Sequence, residues 1–504
     1  MRAWRAAQWS RVGLEAYQTR GFAKNHQSIG ALVNRGEDAP NTRVKGWVRS
    51  IRKQKKVAFA DVGDGSTLKA LQAVLKPEAA SSLSHGTSVE LIGDWKSSMA
   101  SKQSHELQVS SVTVLGDNDV DTNPLQPKYQ TPEFLRTIPH LRARVPSHAL
   151  LLRLRSQLIA SVTSFFNDRG FVQTHTPIIT SSDCEGAGEV FKVSPNEPVE
   201  TKDSVPQSSD SGADHYFRTP KYLTVSAQLH LEALAQAVNR VWTLSPVFRA
   251  ERSDTPRHLS EFYMLEAEMC FTDNLDQVMD LVEDMLRTCV TTLMSSRVAL
   301  ELTGESGPNH TQDSNIADTL DDQEGPLAVA ALRQRWVGLS APNWPRVTYT
   351  RAMDILSAAP ASTFAQTPSF HHGFQAEHER YLANVLGQGK PVFITHYPTA
   401  QKPFYMSPSS GSQTAECFDL LVPGQCELVG GSLRQHRAED LIATMRDRGI
   451  EGRALDWYLD LRRYGSVPHG GFGLGFDRLV AYLGGIANVR DVVVFPRWVG
   501  RCEC

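Results

Sequence analysis

Apolar and polar residues alternate through much of the stretch 41–117, in TRVKGWVRSIR, VAFADVGDG, LQAVLK, SVELIGDWKSS and HELQVSSVTVLG. Alternation with period two gives each strand one inward and one outward face. Asp64-Gly65, with Gly46, Gly86 and Gly93, punctuates these runs as turns do. Several short strands with one crossing helix predict a small β-barrel. After Pro146 the period changes, and Leu151, Leu154, Leu158 and Val162 form the stripe of an amphipathic helix stopped by Gly170. GFVQTHTPIIT then reads as a strand. Its Pro177 has no N–H to give a ladder and assigns it to an edge or an interface. The stretch 222–238 begins as strand and becomes helix, 241–271 reads as two strands joined by a polar loop, and 275–297 is an amphipathic helix. Beyond Val347 come a short strand, a helix at 352–358 and a second helix opening at EHERYLANVL. FDLLVPGQCELVGGSLRQH turns back at Pro423-Gly424, and a glycine-rich strand feeds a final helix striped by Phe476, Leu479, Val480 and Leu483.

This order predicts an α+β chain with a barrel domain at 41–117 and a larger domain at 147–504. The proline-rich segment 118–146 between them reads as a hinge. Two polar stretches without periodicity, about 194–216 and 303–326, read as insertions. A length of 504 residues with 41% hydrophobic content accommodates both domains, and no run approaches the roughly 18 apolar residues of a membrane span. No membrane partner is expected. The net charge of −3 does not announce a nucleic-acid binder, but it conceals an asymmetry. Within 41–76, nine Lys and Arg residues stand against Asp61 and Asp64. A basic barrel carrying Phe59 on a strand suits single-stranded nucleic acid, because phosphates need cations and unstacked bases need a flat face. A solvated charged face, with Phe59 in the barrel core, is the alternative. The seven cysteines form no CxxC pair, and a reducing compartment is the simplest inference. The first 24 residues carry Arg2, Arg5, Arg11, Arg20 and Lys24 against Glu15 alone, the composition of a mitochondrial transit peptide; a basic RNA-holding tail is the alternative.

Candidate chemistry concentrates in two places. In the 241–271 hairpin, Arg249 and Glu251 fall on one face, the loop adds Arg252, Arg257 and His258, and the return arm opens with Glu261 and Phe262. Guanidinium groups, a carboxylate and an aromatic face suit a nucleoside triphosphate; a half-buried ion pair is the plainer reading. Asp419 and Glu427 then stand across a turn as paired hard oxygens of the kind Mg²⁺ takes beside phosphates. The run GGFGLG lacks the βαβ context of a dinucleotide loop, and no Walker A sequence is present.

In order and spacing, these segments resemble the class II aminoacyl-tRNA synthetases of the aspartyl/asparaginyl subgroup, and within it the asparaginyl type with a mitochondrial address. FRAE with RHLSEF resembles motif 2, the helix and strand around Pro177 resemble the dimer-forming motif 1, and GGFGLGFDR resembles motif 3. GWVRSIRKQKKVAFADVGDG with LQAV resembles the OB-fold anticodon-binding domain. The resemblance implies an OB-fold barrel plus a class II catalytic domain, with an antiparallel sheet flanked by helices. It implies a homodimer that uses ATP and Mg²⁺ to ligate L-asparagine to tRNA(Asn) through an asparaginyl-adenylate, in the mitochondrial matrix with the cytoplasm as a second site. Arg249 and Arg478 would be catalytic with Glu427. Glu251, Arg257, His258, Phe262 and Gly475 would complete the ATP site, and Asp419 with Glu427 would hold the metal. The α-ammonium would fall to Glu185 and Gln228 with Ser226 nearby, and the side-chain amide to Glu232 and Arg434. Phe59, Gln72 and Arg49 would contact the anticodon. Leu231 stands where aspartyl enzymes have a lysine, which removes a charge partner for aspartate. EHERYL occurs in the family without metal chemistry, which argues against a site at His371, His372 and His378. An aspartyl-specific or non-discriminating synthetase, a tRNA-independent asparagine synthetase and a non-catalytic RNA-binding scaffold are the rival readings.

Overall fold

The computed structural model describes residues 27–98, 103–181, 189–195, 216–304, 325–360, 362–411, 413–450 and 452–504. The basic 1–24 segment, Glu185 and the cores of both insertions lie outside the described residues. The chain divides into two compact units at Gln130/Thr131.

In the first unit, β1 (Ala39–Lys53), β2 (Ala58–Gly63), β3 (Leu71–Leu75), β4 (Ser88–Ser97) and β5 (His105–Gly116) close a barrel in the order β1-β2-β3-β5-β4. Its core takes the inward members of each alternation, among them Val44, Val48, Ala58, Ala60, Leu71, Ala73 and Leu91. The helix of this unit is not the crossing helix expected from sequence. Residues 77–87 form turns, whereas Ile29–Arg35, ahead of β1, is helical and buries Ile29 and Leu32 against the barrel. After Pro77 the chain has too few residues before Gly86 to offset the cost of a helical nucleus. The first helix is instead fixed from outside, since the Ile29 and Gly30 amides donate to Asp64 and Ser66 at 2.8 Å.

The second unit is built on an eight-stranded sheet. Its strands are β6 (Val172–Gln173), β10 (Arg240–Phe248), β11 (Glu261–Cys270), β12 (Arg346–Thr348), β13 (Val392–Thr395), β14 (Cys417–Val422), β15 (Cys426–Leu433) and β16 (His469–Gly475). The order is β12-β13-β14-β15-β16-β11-β10-β6, antiparallel throughout the centre and parallel at both ends. A small sheet of β7 (Ile179–Thr180), β8 (Lys192–Val193) and β9 (Lys221–Leu223) stands beside it. The strand expected through Pro177 is therefore two. β6 pairs with the edge of the large sheet and β7 joins the small one, with the proline between them where no ladder needs its missing N–H. Helices Pro146–Asp168, Leu275–Met294 and Gly325–Ser340 pack together behind the sheet, and Phe476–Gly484 packs onto the first and third. The stripe Leu151, Leu154, Leu158 and Val162 is buried there as its spacing requires.

His148, in the first turn of the Pro146–Asp168 helix, carries a pH signature. Burial, with Arg142 adding to it, pushes its imidazole down to about 4. A folded pKa below the unfolded value gives stability that is complete above pH 6.5 and is lost as pH falls toward 4, a loss of about 3 kcal/mol. Urea unfolding of the wild type and His148→Gln at pH 7 and pH 4 should show the variant losing less stability across that interval by roughly this amount. Equal losses would remove His148 from the account.

Candidate active site

Strand period explains how distant residues share one face. Along β11, Phe262, Met264, Glu266 and Glu268 occur at every second position. Their β16 neighbours are glycines, with Met264 opposite Gly475, Glu266 opposite Gly473 and Glu268 opposite Gly471. The next strand continues the rows, with Gly430 opposite Gly473 and Ser432 opposite Gly471, and β14 adds Asp419 opposite Gly430. The glycine at 471 is a steric requirement, because a Cβ there would lie 2.1 Å from Glu268 Oε2. The result is a shallow trough floored by bare backbone.

One end of the trough is a cavity of about 270 Å³ lined by Arg249, Glu251, Arg257, His258, Phe262, Met264, Glu427, Gly473, Gly475, Asp477 and Arg478. Nearly the whole nucleotide set expected from sequence is thus brought together. Arg249 lies just past the end of β10, with its amide bonded to Ser260 O at 3.0 Å, so the hairpin continues to hold it. Its guanidinium sits 5.7 Å from the Phe262 ring centroid and 3.8 Å from Glu251. His258 Nδ1 is 2.6 Å from Thr255 Oγ1, and Nε2 lies 3.5 Å from Glu251. Burial, aided by Arg478 and Arg257, holds His258 below its ordinary range despite Glu251, which favours a neutral ring. Arg478, in the first turn of the Phe476–Gly484 helix, donates to Glu427 O at 3.2 Å.

Three of the carboxylates at this end, Asp419, Glu427 and Glu379, form a cluster. A Cβ on Gly430 would lie 3.3 Å from Glu427 Oε1 and 3.6 Å from Asp419 Oδ1, so both side chains converge on that glycine. Both oxygens of Asp419 accept from the Lys402 ammonium, at 2.9 and 2.7 Å. Glu379, which sequence reasoning did not single out, accepts from the Glu427 amide at 3.4 Å and stands 4.0 Å from Arg257. Burial and the Glu427 and Asp419 charges push its carboxyl up to about 7. His378, one residue before it, caps its own helix by accepting from the Gln375 amide at 3.0 Å.

The other end of the trough is a buried polar network. Glu232 accepts from Tyr458 at 2.8 Å, Arg462 at 2.6 Å, His469 at 3.1 Å and Gln228 at 3.1 Å. Burial alone would raise its carboxyl; Arg462 and His469, with Arg434, outweigh burial and hold it well below the usual range. Arg434 lies between Glu268, at 3.0 Å, and Ser432, at 2.6 Å. Burial, with the Glu232 charge adding to it, raises the Glu268 carboxyl although Arg434 opposes the rise. Ser226 donates to Glu266 at 2.5 Å and anchors the start of the Gln228–Val238 helix. Leu231 is packed in an apolar cluster with Ala227, Ala235 and Val241. Glu266, Glu268, Tyr458, Arg462 and His469 were missed from sequence. For the two acids a signal existed, since ionisable residues at every second position of an apolar strand demand partners.

On the barrel, Phe59 and Gln72 point outward beside Ala58, Ala60 and Leu71, which point in. Arg52 covers the Phe59 ring at 5.9 Å, and Gln72 is paired across the ladder with Asp61. Arg49 is bonded to the backbone of its own domain. Its guanidinium donates to Leu68 O at 2.7 Å and Thr67 O at 3.4 Å, fastening the loop between β2 and β3.

A triphosphate needs no phosphate-cradling loop when arginines over a glycine-floored antiparallel sheet can hold it, and that solution defines the class II aminoacyl-tRNA synthetases. Comparison agrees, since residues 131–499 match the model of class II (D, K and N) tRNA synthetases and residues 42–115 match an OB-fold nucleic-acid-binding domain. The chain is 42% identical over 461 residues to the mitochondrial asparagine–tRNA ligase of Schizosaccharomyces pombe, covering 91% of this chain and 94% of the relative. With the mitochondrial ligase of Saccharomyces cerevisiae it shares 39% over 480 residues, 90% of this chain and 91% of that one. Its fold matches the Pyrococcus horikoshii asparaginyl-tRNA synthetase complexed with asparaginyl-adenylate, with TM-score 0.79, 26% identity, and coverage of 95% of this chain and 100% of that one. The chain belongs to the asparagine–tRNA ligases.

Proposed function

We propose that the chain ligates L-asparagine to tRNA(Asn) in two steps on the trough. The observation that carries this reading is the continuity of one β11 face from Phe262, at the nucleotide cavity, to Glu268, beside Arg434. ATP lies at the first end with adenine on Phe262 and its amine near Glu251. An asparagine carboxylate oxygen attacks the α-phosphorus, and the bond to the bridging oxygen breaks to release pyrophosphate. Arg249 stabilises the charge gathering on the α-phosphate, while Arg478, Arg257 and His258 hold the leaving group. A ribose hydroxyl of the terminal tRNA adenosine then attacks the acyl carbon, and AMP departs. No side chain becomes covalently attached.

The side-chain amide lies at the second end, where Arg434 donates to its carbonyl oxygen and Glu268 accepts from its NH₂. Gln228 holds the α-amino end with Ser226 in support; Glu185 remains the expected α-ammonium partner. Glu232, expected from sequence to take the amide NH₂, has its oxygens engaged by Gln228, Tyr458, Arg462 and His469, so we assign it to act from behind by fixing those groups. Aspartate would bring a second carboxylate against Glu268, whose own charge is already costly.

Mg²⁺ suits the hard-oxygen set, with Glu427 the more available ligand because Asp419 is shared with Lys402. Bound there, it would neutralise charge on the phosphates. A homodimer would cover the exposed Leu152, Val172, Ile178 and Ile179 of the motif 1 elements. The mitochondrial relatives support an organellar site, which we place in the matrix, with the cytoplasm as a second location.

The tRNA half of the reading rests on the barrel. Phe59→Ala or Gln72→Ala should raise the KM for tRNA, for Phe59 by a factor corresponding to about 1–3 kcal/mol of lost stacking. Asparagine-dependent pyrophosphate exchange without tRNA should be unchanged. A defect in exchange equal to that in charging would contradict an anticodon role.

A further inference from the structure

The loop between β10 and β11 carries Arg257 and His258 into the nucleotide cavity, yet between Arg249 and Glu261 it contains no strand or helix to hold it. What holds it comes from another part of the chain. Arg490 Nη2 donates to Thr255 O at 3.0 Å and lies 2.7 Å from Asp254 Oδ1. One residue earlier, the Val489 amide donates to Pro256 O at 2.9 Å. The Asp254 side chain is 68% exposed and that of Arg490 only 9%, so the anchored partner is the arginine and the tethered one is the loop.

Arg490 is itself fixed from behind. Its guanidinium lies 4.7 Å from the Trp498 ring centroid, and its carbonyl accepts from the fully buried Arg142 at 2.8 Å. Its neighbour Asp491 takes a two-pronged bond from Arg136 at 2.8 and 2.6 Å. None of these residues except Val489 lines the cavity.

We propose that Arg490 is a positioning residue which latches Asp254–Pro256 and thereby presets Arg257 and His258 for the nucleotide. His258 Nδ1 is held 2.6 Å from Thr255 Oγ1, so a fixed Thr255 backbone fixes the ring as well. The proposal rests on the ATP reading of the cavity. Its physical content is entropic: a loop already in its bound shape need not be ordered when nucleotide arrives. Releasing the latch weakens nucleotide binding and leaves the asparagine end, on other elements, undisturbed.

The test measures ATP affinity directly by calorimetry on the full chain, alongside KM values from pyrophosphate exchange. Arg490→Met should weaken ATP binding about tenfold, with the KM for asparagine within about twofold of wild type. Arg490→Lys, which keeps one donor and the charge, should recover about half of that loss on a logarithmic scale. ATP affinity within about twofold of wild type in Arg490→Met, or equal weakening of ATP and asparagine, would overturn the latch. If Arg490→Met does not fold, the exposed Asp254→Asn carries the test, with about threefold weaker ATP binding expected and no change contradicting the proposal. If the wild type bound ATP without exchange, the functional reading would fail, whereas the ATP titrations would still decide the latch.

Discussion

Arg249→Ala should lower asparagine-dependent pyrophosphate exchange by about 10²- to 10³-fold, mostly in kcat, because it removes a preorganised donor at the position where charge develops. Arg249 is well placed for such an effect. It is held at the mouth of a two-stranded ladder by its amide bond to Ser260 and flanked by Phe262 and Glu251, so little reorganisation accompanies the reaction. Arg249→Lys should recover only a small part, since a point charge cannot reproduce a planar fork. A reduction confined to the KM for ATP, with kcat intact, would make Arg249 a ground-state binding group rather than a catalytic one.

The second large effect belongs to the opposite end of the trough. Arg434→Ala would leave Glu268 buried without its partner, a situation that costs about 3–5 kcal/mol when one member of a buried pair is removed. We expect kcat/KM for asparagine to fall by about 10²-fold or more while the KM for ATP stays within about threefold. Equal effects on both substrates would contradict the assignment of Arg434 to the side-chain amide. The double substitution Arg434→Met with Glu268→Met separates binding from stability. Replacing both charges should restore much of the melting temperature and none of the activity.

The two ends differ in how far they could be read from sequence. Most of the nucleotide end lies in one short hairpin and in one glycine-rich strand with the helix that follows it, to which β15 adds Glu427. Arg249, Glu251, Arg257, His258 and Phe262 are close in the chain, and the period of two already puts the relevant ones on one face. The amino-acid end is assembled from distant elements: Glu232 on the Gln228–Val238 helix, Glu268 on β11, Arg434 just after β15, Tyr458 and Arg462 on the Asp456–Arg463 helix, and His469 on β16. Helical spacing cannot distinguish Tyr458 and Arg462 from a pair facing solvent, and only their burial against Glu232 gives them a role. The barrel shows the same limit. Its strands follow from alternation, but the helix that closes it is set by caps from Asp64 and Ser66, contacts across 35 and 36 residues that no local pattern announces. Arg49 looked like its basic neighbours in sequence and turned out to fasten a loop. At Pro177 the physical rule was right that the proline avoids a ladder, though it could not say that the chain would use the break to change sheets.

Amino-acid-dependent exchange of pyrophosphate into ATP, with asparagine and aspartate compared on the same preparation, tests the central claim most directly. The geometry around Glu268 and Arg434 predicts exchange with asparagine and, at equal concentration, at least about 10²-fold less with aspartate. Exchange driven by aspartate alone, or by neither amino acid, would contradict it.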